Sequence, residues 1–203
     1  PRQVRDFQGI PVIATKFDVM KASLAQKMKF LSPPGSSGSE TAIKPQVALP
    51  ACHQELLRQV GGQFVENCEG SYWMRRQVLA GHLSHGPCAL QFATQLDCAI
   101  LRRLDPKFRE FDLAKAVYFD TETTGLSGGS GTYAFLLGLA YFNKQDGQWQ
   151  LVIEQLMMAD HQQERAILRH LLDLLQDRSG LISFNGKSFD APLLDTRLCL
   201  HRF

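Results

Sequence analysis

Long apolar runs are missing from this chain. No stretch approaches the ~20 apolar residues that carry a helix across a bilayer, so no membrane crossing is expected. Cysteine is scarce and odd in number: five, with no Cys-x-x-Cys pair, which excludes a disulfide framework. A reducing cytosol is the simplest home, and the chain is read as cytoplasmic. Paired zinc ligands are lacking too. In "HLSHGPC", His82, His85 and Cys88 recur at intervals of three, with Cys52, His53 and Cys68 as distant partners, but this reads as a Gly/Pro loop carrying scattered polar residues. There is no internal repeat. Neither sign of charge dominates, the net being +2. Residues 1–110 hold 14 Lys+Arg against 9 Asp+Glu, and residues 111–203 hold 8 against 11. A basic half suits a phosphate backbone and an acidic half suits metal binding, yet imbalances this small decide nothing alone. An initiating methionine is also absent; the sequence starts at Pro1 and is expected to be a trimmed or internal piece.

What is present is an ordinary globular composition, 44% hydrophobic and 21% charged, enough for one core or a core with a small satellite. Residues 1–50 contain "LSPPGSSGSE" and read as an arm or linker. Residues 51–110 read as a small α+β region. In it, "ACHQELLRQVGG" is a short helix stopped by Gly61 and Gly62, and "QFVENCEGSYWMRRQVL" is two strands around a turn at 67–70. "CALQFATQLDCAILRRLDP" has apolar residues at helical spacing and ends before Pro106.

Residues 111–203 are clearer. "AVYFDTE" is an apolar strand ending in acids. "TYAFLLGLAYF" and "WQLVIEQLMM" are longer strands joined through the Asp-Gly signal of "NKQDGQ". "HQQERAILRHLLDLLQDRSG" is an amphipathic helix with Gly180 as its stop, "LISFN" a buried strand, and "APLLDTRLCLHRF" the start of a helix. Three strands followed by helix, strand and helix predict an α/β mixed sheet with flanking helices.

The Gly-Lys-Ser of "LISFNGKSFDAPLL" invites comparison with a phosphate-binding P-loop. That loop needs glycine five positions before Gly186, where Leu181 stands, and the intervening residues are the apolar strand itself. The acids are more telling. Asp120 and Glu122 sit two apart at a strand end, so both project from one face. Such a pair repels itself unless a cation intervenes, and Mg²⁺ or Mn²⁺ prefers oxygen ligands. Asp190 follows the "LISFN" strand. If that strand lies beside "AVYFD", the three carboxylates are expected to converge as in two-metal hydrolysis. Taken singly, Asp-x-Glu also reads as a solvated strand end, and Asp190 as a helix N-cap.

"VYFDTETTGL" followed by "ISFNGKSFDAPLL" resembles the first two motifs of the DEDD exonucleases, which have a ribonuclease H-like fold. "FDTETTGLSGGSGTYAFLLGLAYF" is similar to the bacterial YprB-type ribonuclease H-like proteins, and "NCEGSYWMRRQVLAGHLSHGPCAL" resembles the region preceding their nuclease domain. The similarity covers residues 55–203. It implies a 3′→5′ exonuclease acting on nucleic acid with a single-stranded 3′ end. Asp120, Glu122 and Asp190 would bind two Mg²⁺ or Mn²⁺ ions. Thr123, Thr124, Gly125 and Leu126 would approach the terminal nucleotide, Asn185 would orient the strand end or touch a sugar, and Lys187 would reach a phosphate. For Asn185 and Lys187 a turn residue and a solvated charge stand as alternatives. Arg75, Arg76, Arg102 and Arg103 are either strand-holding cations or plain surface. The family also needs a fourth acid and a Tyr or His base from a third motif, which residues 1–203 do not contain, and His201 lies too far along its helix to substitute. The sequence is therefore expected to hold only the N-terminal part of the nuclease domain. A non-catalytic nucleic-acid- or protein-binding module on the same fold is the rival reading.

Overall fold

Four strands of alternating apolar residues find one another through short hairpins, and the rest of the molecule packs on the sheet they make. A computed structural model describes residues 59, 61–108, 111–125, 131–184, 186 and 188–203. The arm at 1–50 and nearly all of the helix expected in "ACHQELLRQVGG" lie outside the described residues.

The first hairpin is β1 (Gln63–Asn67) and β2 (Gly70–Ala80). Its turn is braced by Asn67, whose Oδ1 accepts from the Glu69 N–H at 2.9 Å. After β5 (Ala116–Thr123) come β6 (Ala134–Gln145) and β7 (Gln148–Met157). Asp146 and Gly147, at φ of +51° and +79°, close the β6–β7 hairpin, as its Asp-Gly signal predicts. β8 (Gly180–Ile182) lies parallel to β5, while every other pairing in this sheet is antiparallel. The strand order is β1-β2-β7-β6-β5-β8, a mixed sheet with flanking helices, as in a ribonuclease H-like fold. β2 pairs with β7 from Trp73↔Met157 to Ala80↔Gln150. The boundary expected near residue 110 thus separates segments that share one continuous sheet.

Two helix expectations change. The segment 88–106 breaks into four pieces. Cys88–Ala89 (β4) pairs with Ser84–His85 (β3), Leu90–Gln95 forms a 3-10 turn, Leu96 is extended, and only Ala99–Leu104 (α1) is α-helical. Asp97 Oδ1 accepts from the Ala99 N–H at 2.8 Å, a local bond that restarts the helix and defeats the periodicity across it. The second helix, α2 (Glu164–Leu175), is led in by an Asp160/Gln163 capping box and ends five residues before Gly180. Gly180 instead opens β8, because the Ser179 N–H is drawn to the Lys115 carbonyl at 3.0 Å.

The third helix, α3 (Asp190–Leu200), packs with α2 on one sheet face. Val117, Phe119, Leu139, Val152 and Leu156 meet Ile167, Leu171, Leu194 and Leu198 there. On the opposite face a smaller cluster of Cys98, Phe108, Phe111 and Ala116 covers the start of β5. Leu171 is fully buried. Leu171→Ala is expected to cost about 2–5 kcal/mol in urea denaturation, from lost transfer energy and the cavity left behind.

One of the buried charged groups stands on the sheet itself. Glu154 on β7 is 3% exposed; it accepts from Tyr141 OH at 3.0 Å and meets His170 Nε2 at 2.8 Å. Tyr72 OH closes the chain on His170 Nδ1 at 2.8 Å. Burial pushes the Glu154 carboxyl up, but His170, Tyr141 and Arg76 together outweigh it and hold it below its ordinary value. Burial first, then Glu154 and Asp173, pushes the Tyr72 phenol up to about 12. A depressed carboxyl stabilises the fold above its unfolded value, and that contribution is lost as pH falls through the folded one. Urea midpoints should therefore fall as pH drops below the ordinary Glu value of about 4.3, and Glu154→Gln should flatten that part of the profile.

Candidate active site at the end of strand β5

Period-two alternation sorts the end of β5. Val117 and Phe119 face the helices and are buried, so Asp120 and Glu122 face the other way, and both are exposed. They pair across β6 with Gly138 and Leu136. Among the described residues, neither carboxylate has a cationic side chain within ion-pair distance. A register shift between Glu122 and Thr123 then bends the chain out of the ladder.

The turn that follows is held by its threonines. Thr123 Oγ1 donates to the Gly125 carbonyl at 3.0 Å. The Thr124 N–H donates to the Tyr133 carbonyl, and the Tyr133 N–H donates to Thr124 Oγ1, both at 3.0 Å. Thr124 therefore braces the turn with its amide and with a lone pair of its hydroxyl oxygen. Among the described residues a Cβ on Gly125 would meet only Thr132 Oγ1, at 3.9 Å, so none of them demands glycine there. Leu126, Asn185 and Lys187 lie outside the described residues.

Asp190 is the first residue of α3; Phe189 holds the N-cap position without a side-chain cap. The N-cap reading of Asp190 is thus replaced by another role. Its carboxylate, 8% exposed, accepts from the Thr121 hydroxyl, which projects from β5 on the helix side. Gly186 is needed for packing: a Cβ there would lie 2.7 Å from Ser183 Cβ and 2.9 Å from Asp190 Oδ2. Its carbonyl accepts from the Ala191 N–H at 2.8 Å, so the glycine of Gly-Lys-Ser serves the entrance to α3. Beside it, the buried Ser183 hydroxyl has no hydrogen-bond partner among the described residues.

The three carboxylates expected to converge lie about the end of β5 in two settings. Asp190 reaches β5, but through Thr121, while Asp120 and Glu122 point from the opposite face. Among the described residues no group of three His, Cys, Asp or Glu side chains is placed to hold a metal ion. The donors of the Asp120–Glu122 pair are all oxygen, exposed and on one face, which fits a hard divalent cation. The triad as placed does not form a cage. Of the other candidate ligands, His85 and Cys88 pair across the β3–β4 ladder and both are exposed.

Sequence reasoning missed what docks α3. Arg197 donates from Nε to Glu164 Oε1 at 2.6 Å and from Nη2 to Oε2 at 2.5 Å, both side chains being almost fully buried. His201 Nε2 shares Oε2 at 2.7 Å. The Arg197 guanidinium lies 4.0 Å from the Tyr133 ring centre, which ties α3 to the residue bracing Thr124. The Glu164 hydrogen bonds hold the Arg197 guanidinium above its ordinary pKa. A signal was available: Glu164 falls in the apolar stripe formed by Ile167, Leu168, Leu171 and Leu175.

Residues 117–203 match the model of the RNase_H superfamily. An 85-residue stretch is 38% identical to "Uncharacterized protein YprB" of Bacillus subtilis (strain 168). That match covers 42% of this chain and spans 19% of the relative's length. No solved structure matches the chain.

Arg197→Ala should destabilise the protein by about 3–5 kcal/mol in urea melts by leaving the buried Glu164 with His201 in place of its bidentate guanidinium partner. The double variant Glu164→Leu/Arg197→Met should recover most of that loss.

Proposed function

Residues 117–203 carry a ribonuclease H-like fold of the RNase_H superfamily, and from that premise we propose that the protein is a metal-dependent nuclease, a 3′→5′ exonuclease acting on single-stranded 3′ ends. The observation that carries this reading is the Asp120–Glu122 pair, two exposed carboxylates sharing one face at the bent end of β5.

Asp120 and Glu122 would hold Mg²⁺ or Mn²⁺, and a two-ion site would also call on Asp190, whose carboxylate accepts from Thr121. When bound, such ions supply a more acidic water and neutralise charge building on the phosphodiester. The chain's own contribution is positioning. Gly125, lacking a Cβ, would let the terminal nucleotide approach the backbone, with the Thr123 hydroxyl bonded to the Gly125 carbonyl and Leu126 the apolar residue assigned to the base in this reading. Asn185 and Lys187, which precede α3 in the sequence, contact sugar and phosphate in this reading. The Glu164–Arg197 pair and the Tyr133–Thr124 bonds fix α3 and the turn relative to β5, so the carboxylates meet the substrate on rigid supports. A second reading, a binding module that does not cut, is favoured by one observation: Asp190 faces Thr121 and not the other two acids.

The test is degradation of a 5′-labelled single strand with Mn²⁺, resolved nucleotide by nucleotide. Wild-type protein should shorten the strand from its 3′ end, and Asp120→Asn should slow this by about a hundredfold or more, the scale seen when one charge-stabilising group is removed. Undiminished cleavage by Asp120→Asn defeats the assignment, and no cleavage by either protein moves the reading to the binding module.

A further inference from the structure

The face that carries Asp120 and Glu122 does not stop at the superfamily core. Register carries it across β6 and β7 onto the β1–β2 hairpin, which lies outside the matched residues 117–203. Asp120, Gly138, Gln155 and Arg75 form one row of directly paired residues on that face. The next row begins at Glu122 and ends at Trp73 and Phe64. Strands lie about 4.8 Å apart, so Arg75 stands ~14 Å from Asp120 and Phe64 ~19 Å from Glu122. At ~3.4 Å per stacked nucleotide, the first span corresponds to about four nucleotides.

Three features make these rows a path rather than a plain surface. Gly138 sits inside a long strand, where glycine is unfavourable, yet a Cβ there would meet only the Asp120 carbonyl oxygen at 3.8 Å, an ordinary contact. Among the described residues no neighbour requires the glycine, and close approach by a ligand is one of the reasons a strand carries one. Arg75 is exposed on this face, whereas Arg76 lies on the other and reaches Glu154 at 3.4 Å. Phe64 is 46% exposed at the far edge, and beside it in the row the buried Trp73 indole N–H has no acceptor. A cation for phosphates together with an exposed ring for bases is how single strands are held without regard to sequence.

We propose that the β1–β2 hairpin extends the catalytic face into a track for single-stranded nucleic acid, with Arg75 on a backbone phosphate and Phe64 under a base. The track holds the strand upstream of the end lying at Asp120, and so it rests on the nuclease reading. It also separates the four arginines: Arg75 belongs to the track and Arg76 to the core network.

The test is fluorescence anisotropy of a labelled dodecathymidylate in chelator-containing buffer across a salt series. Arg75→Ala should reduce the slope of log affinity against log salt by about 0.7, the value for one phosphate contact on a single strand. Phe64→Ala should weaken binding about fivefold or more with the slope unchanged. Arg169→Ala, on α2 across the sheet, should match wild type. Wild-type binding by both Arg75→Ala and Phe64→Ala overturns the track, as does an absence of binding by wild type. Each failure is separable from that of the nuclease reading. If Asp120→Asn loses cleavage while the hairpin variants bind normally, only the track falls. If the hairpin variants lose binding while Asp120→Asn cleaves normally, the track stands and only the assignment of Asp120 falls.

Discussion

The alternation of side chains along β5 is the constraint on which the rest depends. Val117 and Phe119 are driven into the helix-covered core, and the backbone then has no freedom in where Asp120 and Glu122 point. A one-residue slip would bury both carboxylates and expose both core residues, so the core enforces the register that the acids need. The same register passes along β6 and β7. It decides that Gly138 lies beside Asp120 and that Arg75, not Arg76, shares the face of the acids. Orientation of the charged groups is thus a by-product of burying apolar ones several residues away.

Buried charge does a different job. Glu164–Arg197 and Glu154–His170 join α2 to α3 and α2 to the sheet. Ion pairs taken out of water contribute little net stability, since desolvation opposes their attraction, but they penalise any placement that separates the partners. Apolar contacts alone would let α3 slide or turn on the sheet at small cost. A bidentate guanidinium and carboxylate, capped by the Tyr133 ring, admit far fewer positions. Since Asp190 opens α3, its reach toward β5 is set by this pair at the other end of the helix.

Much of the sheet was legible because its signals are local. The Asp-Gly turn, the alternation in "AVYFD" and the apolar runs of β6 and β7 each follow from a few adjacent residues. The helical spacing of residues 88–106 misled because a single Asp97 bond to the Ala99 amide outcompetes periodicity. Gly180 misled because a glycine that can end a helix can equally begin a strand. The same-face pairing of Asp120 with Glu122 could be read directly, being a matter of strand geometry. Which face Asp190 meets could not, because it depends on the side of the sheet that α3 packs against, and that is decided by the distributed core of Leu194, Leu198 and α2. The hairpin's place in the sheet was hidden for the same reason, since nothing within Gly70–Ala80 states that Met157 lies opposite Trp73.

The end of β5 is nonetheless where groups from both faces come together. β8 pairs with β5 only as far as Tyr118↔Ile182, so the edge from Phe119 onward has no β8 partner. Both strands are parallel and finish on the same side of the molecule, the position where open α/β sheets present their crevices. The turn at Gly186 and the first residue of α3 lie at that edge, with the Ser183 hydroxyl, unpartnered among the described residues, beneath them. Asp120 and Glu122 border the same edge from one face, and Thr121 with Asp190 from the other. The Thr121 hydroxyl donates to the buried Asp190 carboxylate at the first turn of α3, where the helix dipole favours a negative group. The three acids therefore flank a single unpaired strand edge, two in the open and one braced, and the chemistry of the site turns on which groups can reach around that edge.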